Sequence, residues 1–79
     1  MNIKLFGITR EIVGENQLQV PDGDGIATVG QLKSWLFENY PAMARLGALA
    51  VAVDHAYAED QDALSAGQEL ALIPPVSGG

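Results

Sequence analysis

Cysteine is absent from this chain of 79 residues. That excludes a disulfide framework and a thiolate metal site, and it leaves any sulfur chemistry without a side-chain thiol. Basic residues are scarce. Lys4, Arg10, Lys33 and Arg45 stand against ten acidic residues, for a formal net charge of -6. Four scattered cations do not make the clustered positive surface that a phosphate backbone requires, so no nucleic-acid partner is expected. Opposite potentials favour a partner with a basic surface, although the same charge also serves solubility. Histidine occurs once, at His55, and a lone histidine in a turn makes no metal site. No apolar run approaches the roughly 20 residues of a membrane span, and no charged-then-apolar leader opens the chain. A cytoplasmic protein with no membrane partner is expected. A chain this short makes one domain with a modest core.

Along the chain, Ile3–Ile8 reads as a first strand, with Ile3 and Leu5 on one face and Lys4 and Phe6 on the other. The polar stretch from Thr9 to Asn16 is a connection that holds a helical turn, with Ile12 and Val13 packed inward. Gln17–Val20 alternates polar and apolar residues, as a half-buried second strand does, and pairs antiparallel with the first. Pro21–Gly25 is a cluster of breakers, hence a loop. Its Asp22-Gly23-Asp24-Gly25 resembles the start of a calcium loop, but the glutamate such a loop needs at its twelfth position falls on Lys33. Thr28, with Gln31 three residues later, has the spacing of a capping box. Val29, Leu32, Leu36 and Tyr40, with Trp35 beside them, form the apolar stripe of the helix that follows. Pro41 ends it, and Pro41–Leu46 forms a further short turn.

Leu49–Val53 is an inner strand with a large-residue face and an alanine face. Asp54-His55 turns the chain into a short return strand at Ala56-Tyr57. Glu59, Asp60 and Asp62 belong to a solvated loop. Glu69–Ile73 is the last strand, stopped by Pro74-Pro75, since proline has no N–H for the ladder. This order predicts an α+β fold: a mixed sheet covered on one face by a helix, the β-grasp or ubiquitin-like roll. The first and last strands then run side by side at the sheet centre. Residues 1–73 form the domain, and 74–79 form an extended tail.

No serine–histidine–aspartate set, phosphate-cradling loop or carboxylate pair is present, so the chain supplies no catalytic side chains. Its distinctive feature is the ending Ile73-Pro74-Pro75-Val76-Ser77-Gly78-Gly79. A free α-carboxylate ionises with a pKa near about 3.5, and as an anion it is a poor electrophile that must be activated, usually by ATP-dependent adenylation. Gly78 and Gly79 lack Cβ atoms and can thread a narrow channel, and Pro74-Pro75 holds the exit stiff. On the residues alone, a carrier tail and a frayed terminus both stand. Phe6 and Ile73, on the outer face of neighbouring strands, would form an apolar patch beside the tail exit, kept flat by Ala50 and Ala52.

The ending, together with Ile3-Lys4-Leu5-Phe6-Gly7, Arg10-Glu11-Ile12-Val13-Gly14, Thr28-Val29 with Leu32, and Leu49–Val53, resembles the small, sulfur-carrier (MoaD-like) subunits of molybdopterin synthase along the whole chain. Members of that family commonly carry asparagine where this chain has Asp54. The resemblance implies that Gly79 is the site of an acyl-adenylate and then of a thiocarboxylate, with Gly78 beside it. Pro74, Pro75, Val76, Ser77, Phe6 and Ile73 would serve the tail and partner binding. The implied partners are an adenylating, E1-like enzyme with a sulfurtransferase, and the large subunit of molybdopterin synthase in a heterotetramer. No bound cofactor is implied; the covalent sulfur on Gly79 is donated to a cyclic pterin precursor to build the dithiolene of molybdopterin. Three other readings remain at this point: a sulfur carrier for thiamine or a sulfur-containing amino acid, a ubiquitin-like protein modifier, and a β-grasp binding module with an inert tail.

Overall fold

The first strand, β1 (Asn2–Leu5), is shorter than the sequence predicts, because the chain turns sharply at Phe6-Gly7 into a helix, α1 (Gly7–Val13). Two local features make that turn, and a third ends the helix it opens. Gly7 takes φ +55°, a left-handed conformation that side chains disfavour. The Thr9 hydroxyl accepts from the Phe6 N–H at 3.1 Å and donates to the Phe6 carbonyl at 2.6 Å. Gly14, at φ +85°, closes the helix as its N–H donates to the Arg10 carbonyl at 2.8 Å, the usual left-handed cap. The predicted connection therefore contains a full helix of seven residues, and Ile12 and Val13 pack partly buried against the core as expected. The computed structural model describes residues 1–21 and 25–75.

The remaining elements are β2 (Gln17–Gln19), α2 (Val29–Asn39), α3 (Pro41–Ala44), β3 (Ala50–Val53), β4 (Ala56–Ala58) and β5 (Leu70–Ile73). The five strands form one sheet in the order β2-β1-β5-β3-β4. β1 and β5 are parallel, with Ile3, Lys4 and Leu5 opposite Leu70, Ala71 and Leu72; the other pairings are antiparallel. The last strand holds the centre of the sheet, as the sequence order predicts, and β3 lies between it and the edge strand β4.

Alternation along the strands sends Ile3, Leu5, Leu70, Leu72 and Val51 into the core. There they meet Val29, Leu32 and Leu36 of α2 and Met43 of α3. The predicted capping box starts α2: the Thr28 side chain accepts from Gln31 N–H at 3.2 Å, and the Gln31 side chain accepts from Thr28 N–H at 3.0 Å. Two further N–H groups of the first turn, which have no partner within a helix, come from Val29 and Gly30. They donate to the Asp62 and Asp60 carbonyls at 3.0 and 2.8 Å. The acidic loop is thus more than a solvated connection, because its backbone closes the end of α2 and Lys33 bridges back to Asp60 at 2.8 Å. No helix among the described residues is long and apolar enough to cross a membrane.

Candidate docking face and tail exit

One face of the sheet is covered by α2, and the opposite face is open. The ladder register sets Lys4 beside Ala71, Ala71 beside Ala52, and Ala52 beside Tyr57. Residues paired in a ladder project to the same side, so these four form a row across the open face. The two alanines lie in its middle and make a shallow floor. A groove of about 340 Å³ runs over that floor. Phe6, Ile73 and Tyr57 give it apolar walls, and Lys4, His55 and Glu69 give it a polar end. Phe6 and Tyr57 are 48% and 76% exposed, a large apolar payload to leave in water beside a concave surface.

Each wall is positioned by its own local chemistry. The Thr9 hydroxyl, wholly buried, grips both peptide groups of Phe6 and fixes where that ring begins. Asp54 and His55 form a two-residue hairpin turn with φ of 49° and 71°, the positive pair that the tight hairpin turn requires. The turn sets Val53 against Ala56 and Ala52 against Tyr57. The Asp54 N–H donates to the Glu69 carbonyl at 2.8 Å, and the Asp54 carboxylate accepts from Glu69 N–H at 2.9 Å. Glu69 is thereby held at the polar end, with its carboxylate 2.9 Å from His55 Nε2 and 3.9 Å from Lys4 Nζ.

The tail leaves from the apolar end. β5 runs from the polar end towards Ile73, and Pro74 follows directly. A methyl group built on Gly7 would lie 3.3 Å from Pro74 Cγ, so the first residue of the exit rests against the turn that starts α1. Another depression, which shares Tyr57 and Ile73 with the groove, is lined by Pro74 and Pro75 together with Ala50, Ala58 and Lys33. Of the candidate site residues, the structure brings Phe6, Ile73 and Pro74 to one end of the open face, with Pro75 next in the chain. Val76, Ser77, Gly78 and Gly79 lie outside the described residues. Tyr57, Thr9 and the Lys4–Glu69–His55 set escaped the sequence reading. The signal for Tyr57 was present: a two-residue turn at Asp54-His55 forces Tyr57 opposite Ala52, hence outward.

A mixed five-stranded sheet with parallel terminal strands at its middle, one face packed on a helix, defines a ubiquitin-like β-grasp protein. The sequence profile of the ThiS family matches residues 3–79. The chain belongs to the ThiS family. It is 33% identical over 84 aligned residues to the molybdopterin synthase sulfur carrier subunit of Chlamydomonas reinhardtii, covering the whole of both chains. It is 39% identical to small archaeal modifier protein 1 of Haloferax volcanii, again over the whole of both. The crystal structure of SAMP1 from that organism superposes with a TM-score of 0.77, covering 99% of this chain and 97% of the other at 37% identity. A protein–protein complex of subunits 1 and 2 of molybdopterin-converting factor from Helicobacter pylori contains a chain that is 25% identical. That alignment covers 99% of this chain and 96% of that one, with a TM-score of 0.61.

Proposed function

We propose that this chain is a sulfur carrier, and specifically the sulfur-carrier subunit of a molybdopterin synthase. The observation that carries the reading is the end-to-end similarity to the Chlamydomonas subunit, joined to a fold whose central strand runs straight into Pro74-Pro75. Residues 1–73 are the carrier domain and 74–79 the working tail, with Gly79 as the terminal residue of the active molecule.

The chemistry follows from that carboxylate. An E1-like enzyme joins the Gly79 carboxylate to the α-phosphate of ATP and releases pyrophosphate. The acyl carbon is then an electrophile with AMP as leaving group. The terminal sulfur of a sulfurtransferase persulfide attacks it and expels AMP to form an acyl disulfide. A second thiol, itself oxidised to a disulfide, reduces that bond to leave a thiocarboxylate. Gly78 and Gly79 present no Cβ to the walls of a narrow channel. The Phe6–Ile73 end of the groove seats the large subunit while the tail enters its active site, where sulfur passes to the pterin precursor. A dithiolene needs two such transfers.

Similarity to the archaeal modifier favours a second reading, in which the same acyl-adenylate is passed to a lysine amine. Intact-mass measurement of the chain taken from cells tests both. The first reading expects an oxygen-to-sulfur exchange at Gly79 and co-purification with a pterin-synthesising large subunit. Isopeptide-linked peptides with an oxygen-only terminus would replace it by the second. A transfer to thiamine or to a sulfur-containing amino acid would show the exchange without that large subunit.

A further inference from the structure

We infer that the partner seated on the open face meets it with carboxylates, against the basic partner that a net charge of -6 calls for. This rests on the docking reading above and goes further by assigning the charge of the complementary surface.

The charges are unevenly distributed. Two depressions adjoin on the open face and share Lys4 and Phe6 as their common wall. The second, of about 260 Å³, adds Arg10 from α1 and Gln17 from β2; Gln17 sits opposite Lys4 in the ladder and so extends the outward row. Two of the four lysine and arginine residues of the chain therefore line this surface, with His55 at its far end. Of the eight acidic residues that are described, only Glu69 lines either depression. Glu69 is already engaged, by His55 at 2.9 Å and Lys4 at 3.9 Å. Arg10 is exposed and makes no ion pair among the described residues. The other seven described acids lie outside these walls, so a chain with a net charge of -6 is locally basic where it is also apolar. An interface core is depleted of charge and its rim is polar. An apolar partner side chain against Phe6, Tyr57 and Ile73, flanked by a carboxylate between Lys4 and Arg10, fits that anatomy. The acidic remainder of the chain then repels an acidic partner in every other orientation, which fixes the docking pose.

The net charge and the local charge make opposite forecasts for one experiment. Binding of the purified large subunit is measured by calorimetry at low and high salt for the wild type, for Lys4→Glu/Arg10→Glu, and for Arg45→Glu as a control that carries the same kind of charge away from this face. Thermal melts confirm folding. Should the glutamate pair not fold, Lys4→Gln/Arg10→Gln gives the same sign with a smaller loss. We expect the glutamate pair to bind about tenfold or more weakly at low salt, the control to stay within about twofold, and the wild-type affinity to fall as salt rises. Unchanged or tighter binding by the pair, with the wild type bound, overturns this inference and leaves the docking reading intact. No binding by the wild type overturns both.

Discussion

Replacing Gly7 by alanine tests the joint between the domain and its tail. At φ +55° a non-glycine residue costs roughly 1–2 kcal/mol. The new methyl would lie 3.3 Å from Pro74 Cγ, inside the optimum of about 3.5–4.0 Å for carbon pairs, which adds a smaller contact term. For a domain of this size about 1 kcal/mol moves the melting temperature by roughly 4–8 °C, so Gly7→Ala should melt about 4–16 °C below the wild type. Two companions separate the terms. Gly7→Asn should lose less, because asparagine tolerates the left-handed region. Gly7→Ala/Pro74→Ala should recover the contact part but not the backbone part, giving a coupling of about 0.5 kcal/mol or more in a double-mutant cycle. The assay is thermal and urea unfolding of all five chains: the wild type, the three variants above and Pro74→Ala alone. A Gly7→Ala protein that melts with the wild type would refute the backbone reasoning, and strict additivity with Pro74→Ala would refute the contact.

Thr9→Val keeps the shape of the side chain but removes both hydrogen bonds to Phe6. We expect a loss of about 1 kcal/mol in urea unfolding, the low end for an amide left without a partner, since the Phe6 N–H is only partly buried, and Thr9→Ser should recover most of it. Phe6→Asp or Ile73→Asp should weaken binding of the large subunit by more than about 1 kcal/mol in calorimetry, and wild-type affinity in both would remove the groove from the interface. Deleting Gly79 should abolish sulfur transfer in a reconstituted assay while leaving the melting temperature unchanged; transfer by the shortened chain would refute the carrier mechanism.

The sheet was legible in the sequence because each strand carries its own alternation. Ile3 and Leu5 against Lys4, or Leu70 and Leu72 against Ala71, state which face is buried without reference to any other element. The capping box at Thr28 and Gln31 is equally local. Helix α1 was legible only as a turn, since Phe6-Gly7-Ile8 continues an apolar run and nothing in that run announces that Gly7 adopts a positive φ. The apolar end of the groove followed from strand order, which set Phe6 beside Ile73. Its polar end did not, because Lys4, Glu69 and His55 are far apart in the chain and meet only through the register of β1, β5 and the Asp54-His55 turn. Arg10 belongs to the open face for the same reason: it sits on the helix that the sequence left half-formed.

The position of β5 has a mechanical consequence. A partner that draws on the tail pulls the middle strand lengthwise, against three residue pairs on one flank and four on the other. Hydrogen bonds loaded in shear along both flanks yield together, whereas those of an edge strand peeled away yield one by one. Drawn by its end, the domain therefore resists through both flanks of β5 at once.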